Sequence, residues 1–189
     1  RAIDAAREDK KIERVVLDLD KFQPSGFASL RELGRALDSL RAQGKQVLAY
    51  SQAMGQGQYL LAAHADEIYL DPMGGLMLEG LSAYRQYYRS LLADKLGVDI
   101  HLFKVGEYKS AAEPFVLDAA SPESKQADLF WMGDIWQRYI SDVATARKLD
   151  PAALTAGIDT LPEGVAAAGG DLARHALQLK LVDGLMTRE

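Results

Sequence analysis

RVVLDLD, residues 14–20, alternates as a half-buried strand does and turns polar at its end. The period then changes from two to about 3.6. Leu30, Leu33, Leu37 and Leu40 recur at helical spacing, Pro24 and Ser25 supply a start, and Gly44 stands where a left-handed C-terminal cap belongs. Residues 46–51 return to strand character. Successive strands separated by a helix-length connection cannot form a hairpin; they pair in parallel through right-handed crossovers. The expected fold class is therefore α/β with a mainly parallel sheet.

The alternation continues. A glycine-bearing turn at Met54–Gly57 leads into a short helix ending near His64, and a strand at Glu67–Leu70 closes on Asp71-Pro72. After Gly74-Gly75 come an apolar stretch at Leu76–Leu78, a predicted helix from about Ala83 to Leu96 stopped by Gly97, and a predicted strand at Val98–Val105. Ser121-Pro122 reads as a cap with proline at the first helical position, opening a long helix to about Lys148; Asp171 caps a last helix ending near Lys180. No repeat or low-complexity linker breaks the chain, so residues 1–189 read as a single domain, and 48% hydrophobic residues suffice for its core. A net charge of -5 argues against nucleic-acid or anionic-membrane partners, and the absence of cysteine excludes disulfides and thiolate chemistry. No apolar run approaches the roughly 18 to 20 residues that span a bilayer, so the chain reads as soluble. It opens at Arg1, without an initiator methionine, inside what reads as a charged helix (AIDAAREDKKIE). A piece of a longer protein is expected, with any targeting segment upstream.

Few residues offer chemistry. His64, His101 and His175 are not spaced to share a metal, so no metal site is expected. Asp18 and Asp20 end a strand, where ligands often bind, but carboxylates there are also simply solvated, and the solvated reading is preferred. MGQGQY matches neither a phosphate loop nor a dinucleotide turn, and Trp131 and Trp136 read as packing residues. In VGEYKSAAEPF, residues 105–115, Lys109 stands between Tyr108 and Ser110 in an apolar, irregular stretch. Spacing alone makes it a solvated loop lysine. Glu113 is assigned no role.

The segment GEYKSAAEPF followed by SPESKQADLFW resembles the lysine motif of the bacterial signal peptide peptidase A family, specifically the amino-terminal half of its long tandem form. SQAMGQGQYLLAAHADEIYLDPMGG resembles the glycine-glutamine turn, helix and Asp-Pro strand of the same half, and with AGGDLARHALQLKLVDGL the resemblance covers nearly all of the chain. It implies a Clp-protease/crotonase-like superhelix of ββα units. The implied activity is a serine endopeptidase of Ser-Lys type that degrades remnant signal peptides. The family is membrane-associated, on the periplasmic side of the bacterial inner membrane, and uses no cofactor. Its partners would be the carboxy-terminal half of the same protein, apolar peptide substrates and further copies of the chain in an oligomer. Carried over, the general base is Lys109, with Ser110 or Tyr108 as candidates to orient its amine. The nucleophile's place departs from the pattern: where the catalytic half reads roughly Ala-Ser-Gly-Gly-Tyr, this chain has Gly55-Gln56-Gly57-Gln58-Tyr59, so Gln56 replaces the serine. The chain is thus expected to be inactive alone, the serine lying in the absent second half.

A serine attacks a carbonyl well only when a neighbouring base takes its proton, and a lysine can be that base only when neutral. Moving a lysine pKa from about 10.4 to about 7 disfavours the cation by roughly 4 to 5 kcal/mol, which burial among apolar groups can supply. Ala111, Ala112 and Phe115 are local candidates for such a lining. The stretch GGLMLEGL, residues 74–81, fits either one wall of a groove for extended peptides or an ordinary core strand. A second reading makes the whole chain a degenerate structural and oligomerisation module, which the loss of the serine favours.

Overall fold

The computed structural model describes residues 2–106 and 108–189; Glu107, inside the lysine motif, lies outside the described residues. The chain divides into two compact units, one reaching to Gly80 and resuming at Tyr139, the other Leu81–Arg138.

The first unit opens with helix α1, Ala2–Glu8, and strand β1, Arg14–Asp18. Helix α2, Phe27–Ala42, follows and buries Leu30, Leu37 and Leu40. Gly44 terminates it at φ +81°, a conformation that L side chains rarely adopt and glycine reaches without strain. Strand β2 runs Gln46–Gly55, helix α3 Gln56–Ala62 and strand β3 Glu67–Met77. From Tyr139 the unit takes in the end of helix α5, Pro122–Arg147, then α6 Pro151–Asp159, α7 Leu161–Ala167, α8 Leu172–Gln178 and the short strand β4, Gly184–Leu185. The sheet order is β1-β2-β3-β4, and every pairing is parallel. The α/β fold class read from the alternation is therefore the one observed.

Val47, Ala49, Ile68 and Leu70 alternate along β2 and β3 onto the face that α2, α3 and α8 cover, and all four are fully buried. Burial of each of the larger ones contributes about 1.5–3 kcal/mol. Tyr59 on α3, equally buried, donates to the Leu181 carbonyl at 2.7 Å. Arg147 holds Asp183 through two bonds of 2.9 and 3.0 Å, and Asp183 in turn accepts from the Ile68 N–H at 2.8 Å, fastening the chain end to β3.

β2 and β3 outrun the predicted strands because they step around a register shift between Ser51 and Ala53. Asp20 accepts from Ser51 Oγ at 2.9 Å and from Gln52 N at 2.6 Å, satisfying the groups the shift frees. This corrects the solvated reading of Asp20; Asp18, likewise, is bridged by Arg188. A Cβ at Gly74 would stand 1.7 Å from the Gln52 carbonyl oxygen, so only glycine fits beside the shift.

The second unit contains a π-helical turn at Ser90–Lys95, helix α4 at Glu113–Val116 and most of α5, Pro122–Arg147. The predicted helix over 83–96 forms only as that turn, since the Tyr88 N–H goes to the Pro114 carbonyl at 2.6 Å and Asp118 takes Arg89 and Ser90 at 2.6 Å each. The predicted strand 98–105 is irregular backbone: Val98, Ile100 and Leu102 alternate but among the described residues have no strand beside them, and a lone strand leaves its amides unpaired. The predicted start of α5 is observed, with Ser121 Oγ accepting from the Ser124 N–H at 3.1 Å. α6 and α7 escaped the sequence reading, although Asp150-Pro151 carries a cap signal, Asp150 accepting from Ala152 and Ala153 N–H at 3.3 Å each.

Candidate active site

Lys109 follows a turn in which its N–H reaches the Gly106 carbonyl at 3.4 Å. Its side chain is exposed, and among the described residues its amine makes no hydrogen bond or ion pair. The neighbouring side chains are engaged elsewhere. Tyr108 donates its hydroxyl hydrogen to Gln126 Oε1 at 3.1 Å, on the first turns of α5. Ser110 faces Arg85, whose Nη1 lies 3.5 Å from Oγ and 3.4 Å from the carbonyl oxygen, while that carbonyl also accepts from the Glu113 N–H at 3.1 Å. Both neighbours of Lys109 are thus hydrogen-bonded, while among the described residues its amine has no partner. Of the apolar candidates for a lining, Phe115 is half exposed and stacks with Tyr88 at 6.2 Å between ring centroids.

The residue that sequence reasoning passed over is Glu113. It is 2% exposed and takes two hydrogen bonds from Ser121, Oγ–H at 2.6 Å and N–H at 3.2 Å. Burial pushes its carboxyl up, but the Ser121 bonds and the charges of Lys104 and Arg85 prevail and hold it below the usual carboxylate value. Glu113 is therefore an ionised brace that joins the end of the lysine loop to the cap of α5. The available signal was a glutamate before proline followed eight residues later by a helix-capping serine.

Gln56 belongs to the first unit, at the start of α3. Its Nε2 donates to the Gly80 carbonyl at 2.9 Å, its Oε1 accepts from the Glu79 N–H at 3.3 Å, and its backbone carbonyl accepts from the Tyr139 hydroxyl at 3.0 Å. Burial foremost, and then the nearby Tyr59, keeps the Tyr139 phenol well above its ordinary value, so it serves as a donor. An amide cannot attack a carbonyl, and this one is spent as a strut across the exit of β3. Gly55 beside it donates its N–H to Gln58 Oε1 at 3.0 Å, a helix cap rather than an open anion donor. Leu78 is 4% exposed, which assigns it to the core and not to a groove wall, whereas Met77 and Leu81 are partly exposed.

The histidines are held apart. His64 bonds Asp38 at 2.9 Å, His175 is buried, His101 is exposed, and among the described residues no group of metal-ligating side chains comes together. No helix among them is long and apolar enough to cross a membrane.

The sequence profile of peptidase family S49 matches residues 39–189. The chain belongs to peptidase family S49. It is 43% identical over 184 residues to Protease 4 of Salmonella typhi and 37% identical over 187 residues to Protease 4 of Haemophilus influenzae, covering 97% and 99% of this chain. It also resembles the chloroplastic serine protease SPPA of Arabidopsis thaliana, 23% identical over 141 residues, or 75% of this chain and 20% of that protein. This S49 chain spans only 30% of the length of either bacterial relative. Among solved structures, an enoyl-CoA hydratase/isomerase family protein from Silicibacter pomeroyi aligns with 94% of this chain and 82% of its own at 16% identity, but a TM-score of 0.30 gives that likeness no weight.

Proposed function

We propose that this chain is the lysine-bearing part of an S49 serine endopeptidase that degrades remnant signal peptides, with Lys109 as the general base and the nucleophilic serine in a carboxy-terminal half outside these residues. One observation carries the reading: among the described residues the amine of Lys109 has no partner, while Tyr108, Ser110 and Glu113 around it are all hydrogen-bonded. A solvated lysine on a featureless loop needs no such anchoring. The strut formed by Gln56 fits the same division of labour, because the place of the nucleophile holds a structural amide here. Names of the relatives, Protease 4 and serine protease SPPA, agree with peptidase activity for the whole protein. Because Lys109 is exposed in this chain, the apolar cover that a neutral amine requires comes from the second half docking over it. The chain alone is then inactive. Membrane association on the periplasmic side and assembly into an oligomer belong to the same proposal for the parent.

The test is hydrolysis of a fluorogenic leucine-rich peptide by the full-length parent and by its Lys109→Ala and Lys109→Arg variants, with circular dichroism as a check on folding. A lost general base lowers kcat by about 10²–10⁴. Both variants should fall that far while keeping their fold, arginine being permanently protonated and unable to accept the proton. Near-normal turnover in Lys109→Ala would instead make this half the catalytically degenerate scaffold.

A further inference from the structure

Parallel strands are as a rule covered on both faces, since their crossover helices sit above and below. Among the described residues of the first unit, only one face of β1-β2-β3-β4 meets helices of that unit. The other is lined by Val16, Leu48, Tyr50, Tyr69 and Met186, and no helix residue described in that unit borders the concavity of about 570 Å³ above them. Val16, in the middle of β1, is 62% exposed, and Met186 is 46% exposed. This is a strand position and a post-strand position that a completed fold would bury.

The rim is polar but internally satisfied. Arg188 bridges Asp18 and Asp20, Arg14 donates to Gln46 Oε1 at 2.7 Å, and Gln46 in turn donates to Glu67 at 3.4 Å. Two arginines stand against Asp18, Asp20 and Glu67, so the face carries no surplus positive charge to recruit a phosphate, a nucleic acid or an anionic lipid. An apolar and aromatic centre within a neutralised polar rim has the anatomy of a protein interface.

We infer that in the parent protein this face is covered by a layer contributed by the part of the same polypeptide outside these 189 residues. The bacterial relatives, of which the chain spans 30%, have more than enough further chain to supply it. A tethered layer also meets the face at an effective concentration of order millimolar, which a second copy does not reach in dilute solution. The inference is independent of the role proposed for Lys109, as no residue of the lysine segment takes part.

The chain lacks cysteine, so a thiol introduced into it reports one place. Val16→Cys and Met186→Cys would be made in the full-length parent, freed of any other accessible cysteine, with Met73→Cys, at 97% exposure, as the open reference. Maleimide labelling of the native parent should be at least about 100-fold slower at positions 16 and 186 than in the same protein unfolded in urea, while position 73 labels near the unfolded rate; burial behind a layer opened only by local unfolding sets that scale. Benzoylphenylalanine in place of Met186 should then photo-cross-link within one chain, to residues outside the 189. Labelling at the reference rate would overturn the inference, as would cross-links joining two chains, whichever segment they reach.

Discussion

Glu113→Gln is the most direct probe of the loop that carries Lys109. The substitution keeps size and removes charge. In the native chain the carboxylate accepts from both the hydroxyl and the N–H of Ser121, at 2.6 and 3.2 Å. Glutamine can accept from one of them, but its NH2 group then confronts the other. Hydrogen bonds to charged groups contribute about 1.5–3 kcal/mol, so a loss near 2 kcal/mol is expected, or about 4–8 °C in Tm for a chain of this size. The pH dependence gives the sign. Because the folded carboxyl is held below its usual value, its contribution is fully present above the unfolded pKa of about 4.3 and is lost as pH falls through the lower folded value. Wild type and variant should therefore differ by a constant amount from pH 5.5 to 7, and the gap should narrow as pH falls below the unfolded value. Both tryptophans lie in the second unit, so their fluorescence follows its unfolding in urea or with heat. Equal midpoints at pH 7 would refute the brace. A gap that persists undiminished at pH 3.5 would show that packing, not charge, is what the glutamate supplies.

Gln56→Ala removes both side-chain bonds to residues 79–80, and a stability loss of about 1–2 kcal/mol with faster hydrogen exchange at the Glu79 amide is expected by mass spectrometry; an unchanged exchange rate would deny the strut. Gln56→Ser should lose the same stability and restore no hydrolysis to a parent whose own serine has been replaced, as measured on the leucine-rich peptide. Gly74→Ala drives a methyl group against the Gln52 carbonyl, 1.7 Å from the ideal Cβ, and should cost at least about 3 kcal/mol in urea unfolding, with a loss under 1 kcal/mol contradicting the close approach.

Much of the first unit is legible in the sequence because its elements are locally self-consistent. Leu30, Leu37 and Leu40 announce the buried stripe of α2, Gly44 its end, and Asp171 the start of α8, where it accepts from the Arg174 N–H at 2.8 Å. Lys109 and Gln56 stand out through motif resemblance, which no periodicity could have supplied. The second unit resists the same treatment. Residues 98–105 have a strand's alternation, yet alternation selects a strand only where a neighbour offers its edge, and among the described residues none does.

What the sequence by itself determined is the order and kind of the elements from β1 to β3 and the caps that bound them. These depend on side-chain period and on contacts a few residues apart. Only the tertiary structure decided that Asp20 serves the register shift at Ser51, that Glu113 is buried and ionised against Ser121, that Gln56 braces the exit of β3, and that one face of the sheet stands open. Each of these depends on a group from elsewhere in the chain arriving within hydrogen-bond reach, or on no layer arriving at all. The free energy of a buried polar group is set by that partner and not by its sequence neighbours.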